Sequence, residues 1–196
     1  MSELAPHRDE SSSAAPWYSP GPVHSDEKII RTVYDPEHLE LDGKLKAAAV
    51  SLDDIQSKGW SVDREKFTSL RRVKRLQSKW QKQNPNRAFR VVSVGVGKIR
   101  QVGSANGESE FVVTDTALRW RPSHATVLLS TPQKPSQARK FRNDLIAALP
   151  PHTDTADAFK DVGRWGYVRG LAEQVVAVLR QILNEGLRRS LQRNAA

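Results

Sequence analysis

The chain has 196 residues, with 31 Lys and Arg against 22 Asp and Glu, a formal net charge of +9 and 38% hydrophobic residues. That length suffices for one hydrophobic core. The absence of cysteine excludes a disulfide framework, a thiolate zinc site, an iron–sulfur cluster and a cysteine nucleophile.

No stretch approaches the ~20 apolar residues of a membrane span. The first 25 residues hold acids and prolines without an apolar signal core. A cytoplasmic protein without membrane contact is therefore expected. The charge is unevenly placed: residues 1–63 carry 6 Lys/Arg and 12 Asp/Glu, residues 64–100 carry 12 against Glu65 alone, and residues 101–196 carry 13 against 9.

Residues 1–22 contain a serine run, Ser11–Ser13, and four prolines, with almost no aliphatic side chains. Such a stretch buries too little surface to offset its ordering entropy, which predicts a disordered tail. Residues 23–196 then form a single domain. Trp17 and Tyr18 are the aromatic exceptions in the tail, placed to dock back onto it.

Ile29, Ile30 and Val33 predict a first short strand, ended by Asp35-Pro36. Asp42-Gly43 marks a turn, and the apolar run from Leu45 to Val50 reads as either strand or helix. Asp53 and Asp54 begin a helical turn that leads to Gly59 and Trp60-Ser61-Val62-Asp63.

A helix capped by Thr68 or Ser69 extends to about Gln83, with Leu70, Val73, Leu76 or Gln77, and Trp80 on one face and a stop at Asn84-Pro85-Asn86. Val92, Val94 and Val96 predict one face of a strand, with Gly95 and Gly97 marking a bulge or close backbone approach. Asn106-Gly107 joins it, as a hairpin, to a strand at Phe111–Thr114. Ala125–Ser130 reads as a strand buried on both faces. Ser136 caps a helix with Phe141, Leu145 and Leu149 inward, stopped by Pro150-Pro151. A last amphipathic helix spans about 167–193, its stripe of Leu171, Val175, Val178, Leu179, Ile182, Leu183, Leu187 and Leu191 suited to the core or to a protein partner. Together these elements predict an α+β fold, with a central, mainly antiparallel sheet flanked by helices.

The strongest candidate site lies within about residues 64–90. Arg71, Arg72, Lys74, Arg75, Lys79 and Lys82 crowd the polar faces of the predicted helix, with Arg87 just beyond it. Like charges at i,i+3 and i,i+4 cost a few tenths of a kcal/mol per pair, so such a row suggests an anionic partner, nucleic acid or another polyanion. The opposing reading pairs these cations with the acids of residues 1–63. Trp80 is in phase with Val73 and reads as core, and Trp60 and Trp120 as packing groups.

Gly95-Val96-Gly97-Lys98 lacks the spacing of a phosphate-binding loop, and no carboxylate group has a recognised metal spacing. No cofactor is expected. His124-Ala125-Thr126-Val127 has the His-x-Thr-x-apolar form of two-histidine phosphoesterases, in which histidine serves as general acid or base and threonine binds phosphate. Arg119, Arg121 and Arg31 are its candidate anion-binding neighbours, yet His24, His38 and His152 supply no second copy of the motif.

Asp26-Glu27-Lys28-Ile29-Ile30-Arg31, Asp42-Gly43, Trp60-Ser61-Val62-Asp63 and Pro122-Ser123-His124-Ala125 together resemble a scattered group of uncharacterised bacterial proteins over about residues 24–130. The resemblance implies a bacterial origin and no mechanism. The leading expectation is a non-enzymatic, nucleic-acid- or polyanion-binding accessory subunit of a multi-protein assembly. The alternatives are a phosphoesterase or nucleotide-processing enzyme centred on His124, and an interaction module using the final helix.

Overall fold

The computed structural model describes residues 18–103 and 108–159, together with Val176. Most of the predicted tail and the final amphipathic helix therefore fall outside the described residues. Five strands form one antiparallel sheet: β1 (Lys28–Asp35), β2 (Trp60–Arg64), β3 (Ala88–Gly95), β4 (Phe111–Asp115) and β5 (His124–Leu129), in the order β3-β1-β2-β5-β4. The helices are α1 (Leu70–Gln83), α2 (Val96–Arg100), α3 (Pro135–Ala148) and the short α4 (Thr155–Ala158). The α+β class with a flanked antiparallel sheet is as the sequence predicts.

Strand register assigns the two faces, because directly paired residues share a side. Trp60↔Val127, Val62↔Ala125, Val113↔Val127 and Phe111↔Leu129 face the main core. That core is closed by Ala138, Phe141 and Leu145 of α3, by Val96 and Ile99 of α2, and by Ala49, Val50 and Ile55 from the 47–58 connection. On the opposite face a smaller cluster joins Val73 of α1 to Ile30 of β1, Val91 of β3 and Phe159. The remainder of that face, over β2, β5 and β4, carries the polar pairs Ser61↔Thr126, Asp63↔His124 and Thr114↔Thr126.

Local chemistry accounts for most boundaries. The Ser69 side chain accepts from the Arg72 N–H at 3.3 Å and starts α1, and Pro135 occupies the first turn of α3, where its missing N–H costs nothing. The ambiguous 45–50 run contains a 3₁₀ turn at Ala47–Ala49, and Asp54–Lys58 form one π-helical turn that ends at Gly59. Gly59 has φ +88°, and a Cβ there would lie 2.7 Å from the Thr126 side chain, so both backbone and space require glycine.

Two expectations are corrected. Val96 does not continue β3: Val96–Arg100 are helical, and the Val96 and Gly97 N–H groups donate to the Glu27 and Ser25 carbonyls at 2.9 Å each. The close approach at Gly97 explains that glycine, since a Cβ would sit 3.1 Å from the Ser25 oxygen. With the chain turned beneath the sheet by α2, β3 and β4 become its two edges and pair with β1 and β5, so the predicted β3–β4 hairpin does not form.

One buried ion pair ties the entering chain to the sheet. Arg64, 1% exposed, donates from Nε and Nη2 to the two oxygens of Glu27 at 2.8 and 2.6 Å. Its Nη1 and Nη2 also donate to the carbonyls of Gly21 and Pro22, at 2.7 and 3.1 Å, and its guanidinium lies 4.7 Å from the Phe67 ring. Ser19 donates in turn to Asp115, which closes the loop onto β4. The last residues of the expected tail are thus anchored, with Ser19 buried.

Removing one member of a buried pair leaves an uncompensated charge. Arg64→Met should therefore cost about 3–5 kcal/mol in chemical denaturation, and the double variant Glu27→Leu/Arg64→Met distinctly less. Equal losses in the two would contradict a charge-pairing role.

Candidate nucleic-acid interface

The cations of residues 64–100 divide into two populations. Arg64 is held by Glu27, Arg87 pairs with Glu37 and stacks 5.5 Å over Tyr34, and Arg90 meets Asp154 at 2.8 Å. Arg72 is half-buried and donates through Nη2 to the Trp120 carbonyl at 2.9 Å. Arg71, Lys74, Arg75, Lys79 and Lys82 are exposed, and among the described residues none of them makes an ion pair. Of the candidate binding residues, Arg72 and Arg87 are therefore engaged within the fold, and the other five are free to meet a ligand.

Those five fall within an arc of about 140° on α1 at 3.6 residues per turn, opposite the arc of Val73, Leu76 and Trp80. They span about 16 Å of helix, close to the rise of five nucleotides at about 3.4 Å each. Beside them runs an open groove of ≈ 630 Å³, lined by Lys74, Gln77, Ser78, Gln81, Lys82 and Phe89. Trp80, predicted as core, is half-buried in an aromatic cluster with Tyr34 and Phe89, at ring separations of 6.3 and 6.1 Å.

Trp120 departs from its expected packing role. Leu118 and Arg121 exchange backbone hydrogen bonds at 3.1 and 2.7 Å, so Arg119 and Trp120 form the tip of a two-residue turn. The Arg121 side chain donates two bonds to Asp63, at 2.8 and 2.7 Å, and Arg72 donates to the Trp120 carbonyl, both on the C-terminal side of the turn. The indole is 69% exposed, beside exposed Arg119. The signal in the sequence was the triplet Arg119-Trp120-Arg121, an aromatic between two cations with no apolar neighbour other than Leu118.

His124 lies on the polar half-face and is 9% exposed. Its Nδ1 is 3.0 Å from the Thr116 carbonyl and 2.8 Å from the Thr116 hydroxyl, and its Nε2 is 3.1 Å from the Ser61 hydroxyl. With Nδ1 donating to the carbonyl and Nε2 accepting from Ser61, both ring nitrogens are satisfied. The structure places Arg121 on Asp63 and leaves Arg119 at the turn tip, while His38 stacks on Tyr34 at 4.7 Å and His152 contacts the Gly43 carbonyl. Of the expected group, Arg119 stands apart, whereas Arg121 reaches Asp63, the strand partner of His124, and Arg31 reaches the carbonyl of Ser61, whose hydroxyl meets His124; among the described residues no other histidine hydrogen-bonds to His124. No group of three or more His, Cys, Asp or Glu suited to a metal ion occurs among the described residues, and none of their helices is long and apolar enough to cross a membrane.

Burial pushes the Asp63 carboxyl up, but the hydrogen bonds and charge of Arg121, the Ser123 hydroxyl and the charge of Arg72 outweigh it and hold Asp63 below the ordinary value. Burial pushes His124 below the usual 6.5, only partly opposed by the Thr116 carbonyl. Compared with known proteins, the chain matches no family model, no curated protein and no solved structure. What fold and site define is an α+β domain that displays a cationic helix face and, on a turn hydrogen-bonded to that helix, an exposed indole.

The lowered His124 value gives a pH test. The unfolded chain takes up a proton as pH falls through 6.5 while the folded one resists, so His124 weakens the fold below 6.5. His124→Asn should cost about 1–3 kcal/mol at pH 7 through the lost buried hydrogen bond. That deficit should narrow as denaturation is repeated from pH 7 down to 5; a constant deficit would contradict the assignment.

Proposed function

We propose that the protein is a non-enzymatic accessory subunit that binds nucleic acid along α1, with Arg71, Lys74, Arg75, Lys79 and Lys82 on the phosphates and Trp120 stacked on a base. One observation carries the reading: these five side chains are exposed without a counter-charge among the described residues, although the first 63 residues hold 12 acids. A cationic row that keeps its mutual repulsion when acids are available is stabilised by an external anion.

Trp120 supports the same reading. Single-strand binders combine a basic track with aromatic faces on which successive bases stack. The Trp120 carbonyl is held by Arg72 and its turn is closed by the Leu118–Arg121 backbone bonds, so little backbone ordering cost remains when a base lands on the ring. The groove lined by Lys74, Gln81 and Lys82 gives the strand a path beside the helix.

Binding of a labelled single-stranded oligonucleotide and of its duplex, followed by fluorescence anisotropy, tests the proposal. Lys74→Glu/Arg75→Glu/Lys79→Glu should weaken both by at least about tenfold, since each lost phosphate contact removes counterion release. Trp120→Ala should weaken the single strand by about 5- to 150-fold and the duplex far less. Unchanged affinity in the triple variant would remove the proposal, and equal effects of Trp120→Ala on both substrates would remove the stacking role.

A further inference from the structure

A small cavity, separate from the exposed face, lies under α1. The β1–β2 ladder consists of Ile29↔Arg64 and Ile30↔Asp63 and then stops. Arg31 fills the space where the strands part: its Nη1 donates to the Ser61 carbonyl at 2.5 Å, and its guanidinium lies 5.7 Å from the Trp60 ring. An arginine carries five N–H donors. Among the described residues that single carbonyl is the acceptor Arg31 has, and its buried Nε has no hydrogen-bond partner.

Arg31 borders a cavity of ≈ 150 Å³, lined also by Tyr34, Ser61, Asp63, Trp80 and Arg121, with Ile30, Val73 and Leu76 as apolar wall. Asp63 is the acid of this lining, and it is already engaged: its oxygens accept from Arg121 and from the Ser123 hydroxyl at 2.7–2.8 Å. The lining therefore keeps an excess of positive charge. Arg31 is half-buried with Asp54 and Asp63 acting on it only through space, and an occupant with negative oxygens would give its free donors direct partners.

We infer that this cavity binds a small oxyanion, a carboxylate or phosphate carried on a compact apolar body, through the Arg31 guanidinium. The volume corresponds to about five waters at about 30 Å³ each and lies below the ~300 Å³ at which ordinary ligand pockets begin, so the ligand has few heavy atoms. Arg31 supplies charge and donors, Tyr34 adds a hydroxyl, and Trp80 with Leu76 receives the apolar part. The desolvation that lowers the Arg31 pKa is the same burial that makes an incoming anion effective. This site does not depend on the nucleic-acid reading.

Isothermal titration of the full chain with inorganic phosphate, benzoate and, as a cationic control, benzylamine provides the test. One equivalent of phosphate or benzoate should bind, whichever is tighter identifying the head group, and benzylamine should not. Arg31→Gln should weaken binding at least tenfold. Arg31→Lys, which retains the charge and guards against a folding defect, should weaken it less. Lys74→Glu/Arg75→Glu/Lys79→Glu should leave it unchanged, which separates this site from the surface of α1. Absence of anion binding, binding indifferent to both Arg31 variants, or loss in the triple variant would overturn the inference.

Discussion

Burying a charge obliges the fold to bring a counter-charge with it, and in this protein that constraint is met first by Arg64 and Glu27. The pair is bidentate and almost wholly removed from solvent, and the spare Arg64 donors reach two backbone carbonyls of the entering chain. The segment before β1, the end of β2 and, through Ser19 and Asp115, the end of β4 are thereby fixed relative to one another. Such a pair adds little net stability over an apolar substitute but fixes geometry, since each alternative arrangement strands a charge.

The same constraint sorts the remaining cations. Acids of the first third of the chain are used where basic side chains sit at strand ends: Glu27 on Arg64, Glu37 on Arg87, Asp63 on Arg121. Among the described residues, none of the acids pairs with a cation on the outer arc of α1. Five unpaired cations lie together on that helix face, where solvent screening at physiological salt acts over about 8 Å. The Arg31 cavity differs in kind, because its cation lies among protein atoms in a lower effective dielectric, where an opposite charge acts more strongly than at the exposed face of α1.

The parts of this picture that were legible in the sequence are those decided locally. Ser69, Asn84-Pro85 and the 3.6-residue recurrence of Leu70, Val73 and Trp80 placed α1, and β-branched runs placed β1 and β5. The parts that were not legible depend on partners distant in the chain. Val96 has the same residue type as Val92 and Val94, and it leaves the strand because the Glu27 and Ser25 carbonyls capture the N–H groups at 96 and 97. Arg64 had the composition of the basic segment, and only its contact with Glu27, 37 residues away, removes it from the exposed set. Trp120 could not be assigned by periodicity, because a turn has none; its exposure follows from its place at the tip of the turn that the Leu118–Arg121 backbone bonds close.

Two anion-directed features on one small domain share α1 as a common wall, the exposed arc outside and Val73, Leu76 and Trp80 inside. The central claim is that the outer arc meets phosphates, and the salt dependence of its affinity reads this most directly. For a single-stranded oligonucleotide, about five neutralised phosphates at about −0.7 each give a log–log slope between about −3 and −4. A slope near zero at measurable affinity would mean that the five exposed cations of α1 take no part in binding, contrary to the account given above.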